Sequence, residues 1–149
     1  MPDRILKPLP LTPGRFAPYG NVIAAGNHDR TAMNEARFER FDDLAEINVD
    51  ESGDGHVAIS IARSRAATVL PYRFDMLERH PLGSQAFIPL TKFSFIVVVA
   101  EAGESVDIDD LQAFVTNGSQ GINYRRGTWH MPLISLAVDQ EFLIVDRAG

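Results

Sequence analysis

The sequence predicts a mainly β fold, most simply a small β-barrel or β-sandwich with one or two short helices. Segments of alternating or continuous apolar residues are numerous, whereas convincing helical periodicity occurs once. Turn-forming residues separate these segments at intervals of about 8–12 residues, which is typical of all-β domains. The 149 residues fit one domain spanning 1–149, without an internal repeat or a linker.

The N-terminal third is predicted to contain short elements and a long irregular excursion. Residues 4–9 alternate loosely, as an opening strand would, and Thr12-Pro13 combines an N-cap hydroxyl with a proline at the first helical position. A strand is expected over 21–25. Residues 27–54 are polar and aperiodic, with one short candidate strand over 37–41.

The segment 56–65 alternates as a strand does. Val57, Ile59 and Ile61 share one face, and Arg63 continues the same parity. If this apolar face is the buried one, Arg63 points inward. A buried charge is costly without a partner, so we expect a carboxylate of the protein or an acidic ligand beside it.

The segment 70–80 shows the same change from apolar to ionisable side chains. Read as a strand, one face carries Leu70, Tyr72, Phe74, Met76, Glu78 and His80 in order. A barrel with an apolar bottom and an open, polar mouth explains this change better than a packed sandwich. A helical turn over 76–79 is the alternative.

The second half is predicted to be mostly strands. These are expected over 85–90, 93–100, 122–125, 133–138 and 142–146, and 93–100 is apolar on both faces, as a central buried strand would be. A helix is expected over 107–115 because its start is acidic, its apolar residues share a helical face, and Gly118 follows it.

Composition and charge exclude several classes of protein. A formal net charge of −6 disfavours a nucleic-acid-binding protein, which needs a basic surface. The absence of cysteine excludes disulfides, thiolate metal sites and a cysteine nucleophile. There is no signal-peptide pattern, and the longest apolar run is too short to cross a membrane, so we expect a cytoplasmic protein without membrane contact.

Glu78, His80 and His130 are the candidate catalytic residues. Glu78 and His80, at i and i+2 of a strand, would project side by side, as a base with its carboxylate partner or as two ligands of a divalent metal. His130 follows a glycine turn and the single tryptophan. The alternative for each histidine is a purely structural or solvated position.

Arg63, Gln85, Tyr124 and Arg126 are the candidate substrate-binding residues. Arginine can grip a carboxylate through two parallel hydrogen bonds, and Gln85 could orient a substrate amide or instead cap backbone groups. For Arg126 the alternative is an ordinary turn arginine. Phosphate-binding loops, serine-hydrolase elbows and His-Glu-x-x-His motifs are missing from the sequence.

The block Glu78-Arg-His-Pro-Leu-Gly-Ser-Gln-Ala-Phe-Ile-Pro-Leu90 closely resembles the signature of ureidoglycolate lyases. The resemblance extends over nearly the whole chain, in order. It includes Phe16-x-x-Tyr19-Gly20, Arg40-Phe41-x-Asp43-Leu44-Ala45, Ser60-Ile-x-Arg63, Asn123-Tyr124, Trp129-His130-x-Pro132-Leu133 and Phe142-Leu-x-x-Asp146-Arg147.

This resemblance implies a cupin-like β-barrel, a cytoplasmic homodimer and a role in allantoin degradation. The implied reaction splits ureidoglycolate into glyoxylate and urea, helped by nickel or another divalent metal, with His80 and His130 as the candidate metal ligands. Both cupin motifs are eroded: Glu78-x-His80 and Gln85 replace a His-x-His pair, and Gly127-x-x-His130 is the remnant of the second motif.

Ureidoglycolate is a hemiaminal, so its cleavage requires removal of the hydroxyl proton and protonation of the leaving nitrogen. His80 or His130 would be the base, with Glu78 as its partner or as the acid. Arg63, with Arg126 or Tyr124, would hold the carboxylate, and Gln85 would face the urea amide. Two alternatives are a non-catalytic cupin that binds a small carboxylate and another metal-dependent cupin enzyme.

Overall fold

The fold is built from two β-sheets with very little helix, as predicted. The computed structural model describes residues 4–26 and 30–149, with the Arg30 side chain excepted. The helical elements described there are α1 (Pro13–Phe16) and a 3-10 turn (Ile108–Asp110), and Thr12 Oγ1 caps α1 by accepting from the Arg15 amide. No helix in these ranges is long and apolar enough to cross a membrane.

Sheet A has the strand order β1-β8-β7-β10, and β11 also pairs with β7. Its strands are β1 (Leu9–Pro10), β7 (Phe95–Ala100), β8 (Gln112–Val115), β10 (Trp129–His130) and β11 (Ile134–Ser135). All six residues of β7 are buried, which confirms the prediction of a central strand there.

Sheet B has the order β2-β9-β6-β12-β5 and is antiparallel throughout. Its strands are β2 (Gly20–Ile23), β5 (His56–Arg63), β6 (Gln85–Pro89), β9 (Gly121–Tyr124) and β12 (Glu141–Ala148). A separate hairpin joins β3 (Arg30–Met33) to β4 (Phe38–Phe41), and β4 confirms the strand expected over 37–41.

The main core lies between the two sheets. Phe95, Val97 and Val99 of sheet A meet Tyr124 and Phe142 of sheet B in one buried cluster. A second cluster covers the other face of sheet A, where Phe74 and Leu77 pack against it. The expected β-rich, cupin-like fold is confirmed, although hydrogen bonding does not close the two sheets into a barrel.

Three predicted elements are wrong. The opening strand expected over 4–9 is wrong for 4–8, since strand pairing begins only at Leu9 in β1. The segment 70–80 is not a strand; it is irregular, with Leu70, Tyr72 and Met76 exposed, and it contributes an isolated β-bridge at Glu78.

The helix expected over 107–115 is replaced by the 3-10 turn and β8. Strand pairing with β7 and β1 overrides the local helical pattern. Leu111 and Ala113 lie in the second core cluster and Phe114 in the first, so the apolar residues alternate between two faces.

Candidate active site

The two segments singled out in the sequence meet through one β-bridge. The Glu78 amide donates to the His130 carbonyl and the His130 amide to the Glu78 carbonyl, each at 2.8 Å. The Gly127 amide donates to the His80 carbonyl at 3.0 Å, which extends the pairing by two residues. The three candidate catalytic residues are therefore brought together by backbone hydrogen bonds, although 70–80 is not a strand.

A tight turn joins β9, which ends at Tyr124, to β10, which contains His130. The Thr128 amide donates to the Arg125 carbonyl at 2.9 Å, and Gly127, third in this turn, has φ 83°. A turn of this type needs a positive φ at its third position, which glycine adopts without steric cost. The turn predicted at Gly127 is confirmed, and it lets the two aromatic rings stack with centroids 4.3 Å apart.

A cavity of about 280 Å³ opens between the bridge and sheet B. This volume is just below the ~300–1,000 Å³ of typical ligand pockets, which suits a small metabolite. On β5 the small side chain of Ala62, on the same face as Ala58 and Ser60, lines this space. The lining residues are Ala62, Arg63, Ser64, Glu78, Gln85, Phe87, Tyr124, His130, Met131, Pro132, Leu133, Ser135 and Phe142.

His130 has the properties of a neutral base. Its Nδ1 lies 3.0 Å from the Thr128 carbonyl, which can only accept, so Nδ1 carries the proton and Nε2 has the free lone pair. Nε2 is buried without a hydrogen-bond partner among the described residues, and Glu78 Oε1 lies 3.6 Å away. Burial lowers the pKa of His130, so the ring is neutral at pH 7.

Tyr124 contributes a neutral phenol to the same wall. Burial, with a smaller contribution from Glu78, raises the pKa of Tyr124, so the hydroxyl keeps its proton. Within the described part of the chain this buried hydroxyl has no hydrogen-bond partner. A buried, unpaired polar atom is unfavourable, which is typical of a group that waits for a ligand.

Glu78, His80 and His130 also form a candidate metal-binding set. One ligand atom from each lies within 4.8 Å of the others, and Nε2 of both histidines is buried without a hydrogen-bond partner in the described ranges. Two imidazoles and one carboxylate suit a first-row transition metal. His80 does not line the cavity itself. The centroid of its ring lies 5.1 Å from the ring centroid of His130, which does line it.

Arg63 does not point inward, and that prediction is wrong. Its Nε and Nη2 lie 2.9 and 2.8 Å from Glu141 Oε2, and its side chain is 63% exposed. Register explains the error, because Arg63 pairs with Glu141 and Ile61 pairs with Leu143 on the face of sheet B turned away from the core. Arg63 nevertheless contributes to the rim of the cavity.

Arg126 lies apart from the other candidate residues. Its Nε donates to the Pro81 carbonyl at 2.6 Å, and its other nitrogens approach Asn48 and Asp50. These contacts tie the loop around Asp50 to the loop after His80, so Arg126 is not part of the cavity lining. Its position matches the alternative of an ordinary turn arginine.

Sequence reasoning missed Asp146, a polar residue that contacts the cavity-lining Gln85. Asp146 pairs in register with Gln85, and its Oδ2 accepts a hydrogen bond from Gln85 Nε2 at 3.0 Å. The sequence did contain a signal for Asp146, because Asp146 has the same parity as Phe142 on a single strand.

A larger, open depression of about 430 Å³ beside the β3–β4 hairpin contains none of the histidines placed by the structure.

A two-sheet β fold with a histidine–carboxylate cluster at a small, partly apolar cavity defines a cupin-like enzyme that acts on a small molecule. The chain belongs to the ureidoglycolate lyase family, whose sequence model matches residues 3–149. The resemblance identified in the sequence is therefore confirmed.

Curated relatives agree with this assignment. A protein named ureidoglycolate lyase from Burkholderia mallei (strain NCTC 10229) is 48% identical over 140 residues, covering 94% of this chain and 81% of that protein. A protein of the same name from Pseudomonas fluorescens (strain SBW25) is 46% identical over 140 residues, 94% of this chain and 83% of its own. A third protein of this name, from Azotobacter vinelandii, is 43% identical over 147 residues, which cover 98% of this chain and 87% of that protein.

Proposed function

We propose that this chain cleaves ureidoglycolate into glyoxylate and urea, as a single lyase domain acting in purine and allantoin degradation. Family membership supports the reaction. The observation that carries the chemistry is the buried, unpaired Nε2 of His130 at the wall of the cavity, with Glu78 3.6 Å away. Removal of the hydroxyl proton requires a neutral base with a free lone pair, and the His130 ring with its proton on Nδ1 has one.

The elimination needs one proton to move between two substrate atoms. His130 Nε2 takes the proton of the hydroxyl, the carbon–oxygen double bond of glyoxylate forms, and the carbon–nitrogen bond breaks. The leaving nitrogen then takes that proton back from the imidazolium and departs as urea. Glu78 stabilises the imidazolium while it exists, and a positioned acid or base contributes ~10²–10⁴-fold to the rate.

Substrate binding is assigned to groups around the cavity. The Tyr124 hydroxyl is a neutral donor suited to a carboxylate or carbonyl oxygen, and Gln85 faces the ureido end. Arg63, on the rim, supplies positive charge for the carboxylate, with its Glu141 ion pair as the competing contact. Arg126 is given no direct contact, because its donors are engaged with Pro81 and Asn48.

As an alternative use of the same cluster, Glu78, His80 and His130 would hold a divalent metal, for which we propose nickel; His130 Nε2 would then be a metal ligand and not the base. Their ligand atoms lie within 4.8 Å of one another, and the unpaired histidine nitrogens fit such a site. When bound, the ion would supply Lewis acidity near the hydroxyl oxygen of the substrate.

We also propose a cytoplasmic homodimer that pairs through the outer face of sheet B. Ile59 and Ile61 of the edge strand β5 are 71% and 62% exposed, and Val57 beside them is 53% exposed. Leu143 and Val145 of β12 lie on the same face by register. A contiguous apolar sheet face, bordered by the Arg63–Glu141 ion pair, suits a two-fold contact with a second copy.

The decisive experiment is an assay of purified protein with ureidoglycolate. Glyoxylate is measured by a coupled reaction, and urea and ammonia are measured separately. We expect one urea per glyoxylate. Ammonia in place of urea would indicate hydrolysis, and absence of turnover with or without nickel would refute the lyase assignment. Binding of glyoxylate without turnover would fit a non-catalytic carboxylate-binding protein.

A further inference from the structure

Gln85 and Asp146 form a polar pair on the inner face of sheet B. Both occupy one register position of the β6–β12 ladder, and Gln85 also pairs with Tyr124 of β9. Gln85 lines the cavity, and its Nε2 donates to Asp146 Oδ2 at 3.0 Å. Asp146 therefore contacts the side chain that meets the substrate in the proposed function, without itself lining the cavity.

The chemistry of this pair determines which end of the Gln85 amide is presented to a ligand. An ionised carboxylate has acceptors and no donor, so only the NH₂ end of an amide can hydrogen-bond to it. The carbonyl oxygen Oε1 is consequently the end turned away from Asp146. Without Asp146, rotation by 180° about the last side-chain bond could present either end.

We infer that Asp146 is a positioning residue that holds Gln85 with its carbonyl oxygen toward the substrate and thereby selects ureido compounds. The inference rests on the proposed function. A ureido group carries N–H donors at its nitrogen end, and a fixed carbonyl oxygen accepts from them. The same oxygen repels a carboxylate or ester oxygen at that position, so the enzyme rejects analogues lacking N–H groups there.

The conservative variant Asp146→Asn tests this inference. Asparagine has nearly the same volume as aspartate, but its side chain can both accept and donate hydrogen bonds, so it no longer fixes which end of the Gln85 amide faces it. We expect the KM for ureidoglycolate to rise about 3- to 10-fold, the cost of one hydrogen bond, with kcat within about twofold. Asp146→Glu retains a carboxylate and should recover part of this loss. Asp139→Asn, at an exposed turn position with φ 60°, is the matched control and should match wild type.

Two inert ligands separate recognition of the ureido end from general damage to the site. N-carbamoylglycine has the ureido group and the carboxylate of the substrate but lacks its hydroxyl, whereas glycolate has no ureido group. In Asp146→Asn we expect calorimetric binding of N-carbamoylglycine to weaken about 3- to 10-fold and that of glycolate to stay unchanged. Equal weakening of both ligands, or of neither, would overturn the inference.

A double-mutant cycle with Gln85→Ala tests whether Asp146 acts through Gln85. In the Gln85→Ala background, Asp146→Asn should have no further effect on N-carbamoylglycine binding; a full additional loss would refute the positioning role. Thermal unfolding checks that each variant folds. If Asp146→Asn does not fold, Asp146→Glu takes its place in the comparison with wild type. Failure of wild type to cleave ureidoglycolate would refute the proposed function instead, while the binding measurements would still test Asp146.

Discussion

Replacement of His130 by asparagine tests the base directly. An asparagine amide can replace Nδ1–H as the donor to the Thr128 carbonyl, which lies 3.0 Å from Nδ1, but nothing replaces Nε2. The substitution therefore removes the lone pair assigned to the reaction while keeping the hydrogen bond that anchors the side chain. Alanine would remove both, leave a buried carbonyl unpaired and confuse catalysis with stability.

The expected losses in rate and in stability differ enough to be separated. Loss of a general base costs ~10²–10⁴-fold in kcat. At about 1.36 kcal/mol per factor of ten, this is about 2.7–5.4 kcal/mol of activation free energy. Loss of the stacking between the His130 and Tyr124 rings, 4.3 Å apart, costs ~0.5–1.5 kcal/mol of unfolding free energy. The variant should therefore remain folded and be nearly inactive.

The assay is the glyoxylate-coupled turnover, measured together with thermal unfolding. His56→Asn is a matched control, because the exposed His56 also places Nδ1 against the carbonyl two residues earlier, that of Asp54, at 2.8 Å. The control should have wild-type activity. If His130→Asn keeps kcat within about threefold of wild type, His130 is not the base.

Four further predictions follow from the same site. Burial lowers the pKa of His130 below its ordinary 6.5, so kcat/KM should hold as the pH falls to about 6.5 and decline only below it; a decline centred above 7 would contradict this. Tyr124→Phe should raise KM several-fold yet leave the free energy of unfolding unchanged or up to ~1 kcal/mol higher, because the removed hydroxyl is unpaired; lower stability together with an unchanged KM would contradict the substrate-binding role. Nickel at about 100 times its Kd should add ~2.7 kcal/mol to the free energy of unfolding, and His80→Ala should abolish this gain; an equal gain in that variant would exclude His80 as a ligand. Ile59→Asp should convert a dimer to a monomer by light scattering, whereas Ser60→Asn on the opposite face is not expected to dissociate it; a dimer that persists in Ile59→Asp would exclude the outer face of sheet B.

The candidate site was predictable from the sequence in its chemistry, though not in its geometry. Glu78, His80 and His130 were identified from residue type and spacing, and they do come together. The predicted reason, a strand over 70–80 with one continuous inner face, is wrong. The bridge between Glu78 and His130 and the hydrogen bond from Gly127 to His80 join the segments instead, and local alternation carries no information about such non-local contacts.

Arg63 illustrates a different limit. The alternation in β5 correctly predicted a strand and correctly grouped Arg63 with Ile59 and Ile61. It could not identify which face packs on the core, because the usual rule assigns burial to the apolar side. Here the inward face carries the small residues Ala58, Ser60 and Ala62, of which Ala62 lines the cavity, and the apolar side is outward.

The sequence by itself determined the β-rich class, the buried strand β7, the Gly127 turn, the family and the chemical groups available for catalysis. Each of these depends on residue type or on short-range pattern. Only the tertiary structure decided that 112–115 forms a strand, that Arg63 faces outward, that Arg126 is bonded outside the cavity and that Asp146 contacts Gln85. Each of these depends on which distant strand supplies the hydrogen-bond partners, and pairing register is set by the packing of the whole chain.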